Sequence, residues 1–128
     1  QVISDFRRIF FNEELLTFAD FNREHARCLA FLKEAVSSSN ARKKIVVTHH
    51  VPSFQMQCPK FADSLANGAF TVELEDYIKD SGIDFWIYGH SHYNADVRIG
   101  NTMCISNQLG YVFHGEHESF DPCKNIEV

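Results

Sequence analysis

The stretch that most constrains what this chain can fold into is residues 83–94, IDFWIYGHSHYN, an apolar run that stops at a glycine and then presents His90 and His92 two residues apart. The run from Ile83 to Gly89 is rich in β-branched and aromatic types, which predicts a short buried strand. Both histidines then lie just past the strand's C-terminal end, where Gly89 is expected to let the backbone turn tightly. In extended chain the side chains of i and i+2 share a side, so the two imidazoles are expected to approach one ion or a pair of neighbouring ions. An isolated H-x-H is more often a polar loop in contact with solvent. The reading therefore rests on its surroundings.

A second run ends the same way. Ile45-Val46-Val47-Thr48-His49-His50-Val51-Pro52-Ser53 follows the basic Arg42, Lys43 and Lys44, and its β-branched residues give way to histidines and a proline. Pro52 cannot continue a central strand and biases Val51 towards extended geometry. Two buried strands are thus expected, each ending in histidine, with about forty intervening residues to form a crossover. One site assembled from two strand ends is the natural reading.

At these residues the chain resembles the calcineurin-like metallophosphoesterases, phosphohydrolases with a binuclear metal centre. VVTHHVPS is similar to their strand ending in a metal-binding histidine, and Gly89-His90-Ser91-His92 to their GHxH block. Ile3-Ser4-Asp5-Phe6, the His25 to Leu32 segment and Ile105-Ser106-Asn107-Gln108-Leu109-Gly110-Tyr111 extend the likeness over essentially the whole chain. The resemblance implies an α/β fold, part of a four-layer αββα sandwich of two mixed sheets. It also implies that His49 and His90 bind one metal and His92 the other, the ions being of manganese, iron, zinc or nickel type. His50 is assigned a catalytic role, touching substrate or, with Thr48, orienting His49, with an ordinary structural role as the equal alternative.

The family's three earlier blocks, Asp-x-His, Gly-Asp and Gly-Asn-His, have no counterpart here, and the chain opens on Gln1. Residues 1–128 are therefore expected to be the C-terminal half of one metallophosphoesterase domain. The bridging aspartate, an asparagine and the leaving-group histidine would come from the other half. Without them this piece alone is expected to be nearly inactive and to self-associate or pair with the missing half.

The composition agrees with an ordinary globular core: 128 residues, 45% hydrophobic, with 12 phenylalanines. The net charge of −5 argues against a general nucleic-acid or membrane-surface binder, both of which need clustered positive charge. No run approaches the ~18 apolar residues of a membrane span. Cys28, Cys58, Cys104 and Cys123 are widely spaced and form no C-x-x-C pair, which reads as free thiols in a reducing, cytoplasmic compartment.

In chain order, residues 1–16 hold a short extended piece and the cluster Ile9, Phe10, Phe11, Leu15, Leu16. Phe18, Phe21, His25, Cys28, Leu29, Leu32 and Val36 recur at helical spacing, one stripe of a helix capped by Thr17 or Asp20 that should pack on a sheet. His25 reads as a core or helix-edge residue. Residues 53–69 form a long irregular stretch, a lid or substrate-contact loop on one reading and surface padding on the other. A second helix is expected from Thr71 to the stop at Gly82, with Glu73, Glu75 and Asp76 as solvated charges complementing its dipole. Gly100-Asn101 marks a hairpin, and residues 125–128 a returning strand. His114 and His117, in a segment without regular pattern, are a poor ligand pair.

Phosphoester hydrolysis explains why histidines would gather here. It needs an in-line nucleophile and neutralised phosphate charge, which two cations roughly 3.5–4 Å apart supply. Mixed imidazole and carboxylate donors suit such ions. The expected substrate is a small phosphoester or nucleotide. The competing reading is a non-catalytic protein-binding scaffold of the same fold, and a third is a mononuclear zinc protein using His49, His90 and His92.

Overall fold

The computed structural model describes residues 3–127. It divides into two compact units, Gln1–Asn40 and Ala41–Val128.

In the first unit a short turn precedes a two-stranded antiparallel hairpin, β1 (Phe10–Phe11) and β2 (Glu14–Leu15), with Asn12 and Glu13 at φ 50° and 69° between them. Helix α1 (Phe18–Ser38) begins at Thr17 in a full capping box. The Asp20 amide donates to the Thr17 hydroxyl, and the Thr17 amide donates to the Asp20 carboxylate. That pairing, led by the Thr17 hydroxyl, holds the Asp20 carboxyl below the usual aspartate range. Phe6 is buried here, its ring 4.0 Å from Phe18 and 6.0 Å from Phe21. Of the predicted apolar stripe only Val36 is buried. Phe21, His25, Leu29 and Leu32 are half-buried, while Phe18 and Cys28 are exposed. The stripe has the right period and too little covering it.

The second unit is built on one mixed four-stranded sheet in the order β3-β4-β6-β5. β3 (Ile45–Val47) and β4 (Phe85–Ile87) are parallel, with Val46 opposite Trp86, and β4 and β6 (Thr102–Ile105) are parallel, with Trp86 opposite Cys104. β5 (Val97–Ile99) pairs antiparallel with β6 across Gly100-Asn101, with Gly100 at φ 58°, as the hairpin signal required. The core gathers on β4: Trp86, Ile78, Ile83, Met56, Val51 and Cys104 are fully buried. Each large aliphatic side chain so buried contributes roughly 1.5–3 kcal/mol. Burial also pushes the Cys104 thiol up to about 11 and the Tyr88 phenol up to about 12, so Tyr88 stays a neutral donor to the Ala95 carbonyl at 2.6 Å.

Several expectations need correction. β3 is not a buried strand: it lies at the sheet edge, and Ile45 and Val47 are 44% and 69% exposed because nothing among the described residues of this unit covers that face. The second helix, α2 (Glu75–Asp80), starts four residues late. Instead the Val51 amide donates to the Phe70 carbonyl and the Val72 amide donates to the Val51 carbonyl, an isolated parallel bridge that sets Thr71 opposite Val51. Glu73 is not merely solvated, since its carboxylate accepts the amides of Phe54 and Glu75 and so ties the following loop to the helix start. Residues 125–127 form no strand, and Val128 lies outside the described residues. Two mixed sheets were expected; among the described residues one sheet is mixed and the other is the small antiparallel hairpin. No helix among them is long and apolar enough to cross a membrane. All four cysteines are free thiols.

Asp84 fixes where β3 and β4 begin. Its carboxylate accepts the Lys44 amide at 2.9 Å and the Lys43 ammonium at 3.0 Å, while the Asp84 amide donates back to the Lys44 carbonyl. The Lys44 amide chiefly, then Lys43, holds the Asp84 carboxyl below its ordinary value. A depressed folded-state value stabilises the fold above the unfolded value and ceases to do so as pH falls through the folded one. Asp84→Ala is expected to lower the melting temperature at pH 7, with the gap to wild type narrowing as pH drops below ~4. Thermal denaturation followed by circular dichroism at stepped pH checks this.

Candidate functional site

The parallel pairing of β3 and β4 carries on past both strands. The Thr48 amide donates to the Ile87 carbonyl at 2.9 Å, and the Gly89 amide donates to the His49 carbonyl at 3.2 Å. These bonds set His49 and His50 beside His90. The ring centroids are 4.5 Å apart for His49 and His90, 4.9 Å for His50 and His90, and 5.4 Å for His49 and His50. Imidazoles sharing one ion through ~2.1 Å bonds stand with centroids roughly 5 Å apart, so the spacing is in range. Phe70 stacks on His90 at 4.6 Å and 21°. Thr48 acts on the turn and not on the His49 ring: its hydroxyl donates to the His50 carbonyl and accepts from the Trp86 indole N–H, both at 2.9 Å.

His92 goes elsewhere. Its Nδ1 lies 2.9 Å from a Glu116 carboxylate oxygen, and its ring stands edge-on to Tyr111 at 4.8 Å. The same Glu116 oxygen accepts the Tyr111 amide at 2.6 Å, and that bond above all holds its carboxyl below the usual glutamate range. The shared side expected for His90 and His92 assumed extended backbone. Instead both histidines are left-handed, at φ 72° and 52°, so the alternation of extended chain does not apply, and the two rings have different neighbours. Gly89, expected to make the turn, is not in that region. Left-handed non-glycine residues cost on the order of 1–3 kcal/mol and persist only where surroundings over-determine them.

Gln108 supplies that constraint. Its side-chain oxygen accepts the His92 amide at 2.8 Å, and its amide group donates to the Tyr93 carbonyl at 2.8 Å and the Ser91 hydroxyl at 3.3 Å. Asn94 closes the clamp, accepting the Gln108 amide at 2.6 Å and donating to the Gln108 carbonyl at 3.0 Å. Sequence reading quoted Gln108 only as part of a family-like segment and overlooked Glu116. The signal for Glu116 was Gly110, at φ 62°, where a Cβ would come within 2.5 Å of the Glu116 Cβ and 3.2 Å of the His92 Cβ. His114 and His117 are both exposed on separate turns, and the His114 ring packs on Phe113 at 4.5 Å.

The long stretch after Pro52 folds into three 3-10 turns, Phe54–Met56, Pro59–Phe61 and Asn67–Ala69. With His90 and His92 it encloses a cavity of about 490 Å³ whose wall includes Phe61, Phe70, Tyr111 and Glu116.

Residues 3–94 match the family model described as calcineurin-like phosphoesterase. The chain belongs to that family. It is also 28% identical over 120 residues to the uncharacterized protein L509 of Acanthamoeba polyphaga mimivirus, across 88% of this chain and 41% of that protein. The chain thus spans less than half the length of this relative. No solved structure matches it. Members of the calcineurin-like family typically bind divalent metals. Here the donor type fits and the donor set does not: among the described residues no group of three or more His, Cys, Asp or Glu is arranged to hold a metal ion. Three imidazoles converge without a carboxylate between them.

Gly110→Ala is expected to destabilise the second unit by more than ~1 kcal/mol, from the left-handed backbone as well as the collision with Glu116. Urea unfolding followed by Trp86 fluorescence measures it. Gln108→Ala is expected to raise hydrogen exchange at the His92 amide at least several-fold while leaving β4 protected.

Proposed function

We propose that the whole protein hydrolyses a phosphomonoester or phosphodiester at a two-metal centre to which this chain contributes His49, His90 and His92. The carrying observation is that His49 and His90, from strands forty residues apart in sequence, meet at 4.5 Å. In this reading His49 and His90 serve one ion, and His92 serves the other through Nε2, its Nδ1 being engaged by Glu116. When bound, a divalent pair of manganese, iron, zinc or nickel type lowers the pKa of a water and neutralises phosphate charge. This chain's own residues orient the donors: Thr48 and Trp86 hold the His50 turn, and Gln108 and Asn94 hold the loop of His90 and His92. In this reading His50, whose ring lies 4.9 Å from that of His90, touches the substrate.

Residues 1–128 form, in this reading, the C-terminal half of a four-layer αββα domain. The missing carboxylates, and the strands that cover β3, come from residues outside the chain. The incomplete donor set supports this, as do the free edge of β3 and the exposed Ile45 and Val47. An exposed apolar edge invites pairing, so the piece alone is expected to self-associate, a clean monomer in light scattering being the contrary result. Partners are phosphoesters or nucleotides, not nucleic acid or membrane. The widely spaced free thiols suit the cytoplasm.

The full-length protein with added manganese is expected to release p-nitrophenolate from p-nitrophenyl phosphate. His49→Ala, His90→Ala and His92→Ala should each lower kcat by on the order of 100-fold or more. Residues 1–128 alone are expected to stay at background, and turnover comparable to the full-length protein would refute the division of the centre. No turnover in the full-length protein under any of these metals would instead favour the scaffold.

A further inference from the structure

We infer that the cavity beside His90 and His92 is a subsite for a flat, uncharged aromatic ring carried by the phosphoester, so that the site selects ring-bearing esters over aliphatic ones. This deepens the hydrolase reading and rests on it for the phosphate end alone.

The cavity, about 490 Å³, has the size of a small-molecule site and a wall made mostly of carbon. Three of its faces are aromatic: Phe61, Phe70 and Tyr111. Phe61 and Tyr111 are 50% and 53% exposed, large apolar rings left in contact with water that an incoming ring would cover. Aromatic faces accept a flat ring by stacking whatever its substituents.

The rings are also joined to the histidines. Phe70 stacks on His90, and Tyr111 stands edge-on to His92. A ligand whose ring lies among them therefore carries its phosphate to the histidine end without crossing the cavity. Charge points the same way. Among the described residues no lysine or arginine lines the cavity, and the one carboxylate among them that does, Glu116, already accepts from the Tyr111 amide and faces His92. A second phosphate or a charged amino-acid leaving group would meet carbon and a negative charge. An uncharged ring would not.

The wall is held before any ligand arrives. The Asn67 side-chain amide donates to the Phe61 and Ala62 carbonyls at 2.6 and 2.7 Å, and the Phe61 amide donates to the Cys58 carbonyl at 3.0 Å. In the reaction a water oxygen bonds to phosphorus, the bond from phosphorus to the ester oxygen breaks, and a proton of the water ends on the released hydroxyl. Phosphate and the ring-bearing alcohol or phenol are the products.

The test uses the full-length protein with manganese and three esters: phenyl phosphate, adenosine monophosphate and glycerol 3-phosphate. At least one ring-bearing ester is expected to exceed glycerol 3-phosphate in kcat/KM by about 10-fold or more. Whichever ring-bearing ester is faster tells whether the ring sits on the ester oxygen or one sugar away. Phe61→Ala and Tyr111→Ala, both at half-exposed positions, should each reduce that preference about 5-fold, through KM. In parallel, phenol and adenosine binding is followed by saturation-transfer NMR, which needs no turnover. Binding of either, weakened by Phe61→Ala, supports the subsite even where no ester is hydrolysed, a result that would remove the hydrolase reading and leave the aromatic site standing. Equal kcat/KM for the three esters, or no binding of phenol or adenosine, overturns the inference.

Discussion

The second unit depends on one constraint: the parallel register that sets Val46 beside Trp86. Parallel strands both finish at the same end of the sheet, and the ladder here continues for two further bonds, from Thr48 to Ile87 and from Gly89 to His49. The chemistry-bearing loops therefore leave the sheet already tied to each other. Trp86 adds a polar strut. Fully buried as the core's largest side chain, it must satisfy its indole N–H, and does so on the Thr48 hydroxyl, which in turn fixes the His50 carbonyl. The packing that stabilises the sheet and the geometry that gathers the histidines are one set of contacts.

Much of this was legible in the sequence because the signals were local and redundant. Two β-branched runs ending in histidine, a capping threonine three residues before Asp20, and Gly100-Asn101 between alternating segments each name an element and its end. What stayed hidden depended on partners distant in the chain. The late start of α2 was invisible because Phe70 and Val72 spend backbone groups on Val51, and helix propensity carries no record of that. The exposure of Ile45 and Val47 was hidden for the opposite reason: a β-branched strand reads as buried, and only topology shows that β3 is an edge. The period of α1 was correct, yet periodicity says which face is apolar and not how fully it is covered.

The conformation of residues 90–92 was the largest misreading and is the most informative one. Glycine was credited with the turn, but the histidines themselves take the left-handed backbone. The left-handed backbone of these histidines is maintained by Gln108, sixteen residues on from His92, together with Asn94, so the loop's geometry is set from outside it. Gly110 belongs to the same arrangement. Its missing side chain is what lets Glu116 reach His92, which makes a glycine far from the histidines in sequence a condition of where one of them points.

The division between His90 and His92 follows from these same contacts and bears on what the chain can do by itself. His90 turns to His49, His50 and Phe70, while His92 turns to Glu116 and Tyr111. Neutral imidazoles cannot compensate two cations at close range without carboxylates between them, and among the described residues none stands there. The histidines on this chain are thus ordered by contacts within the second unit, and no carboxylate of the described residues completes a metal-holding group with them.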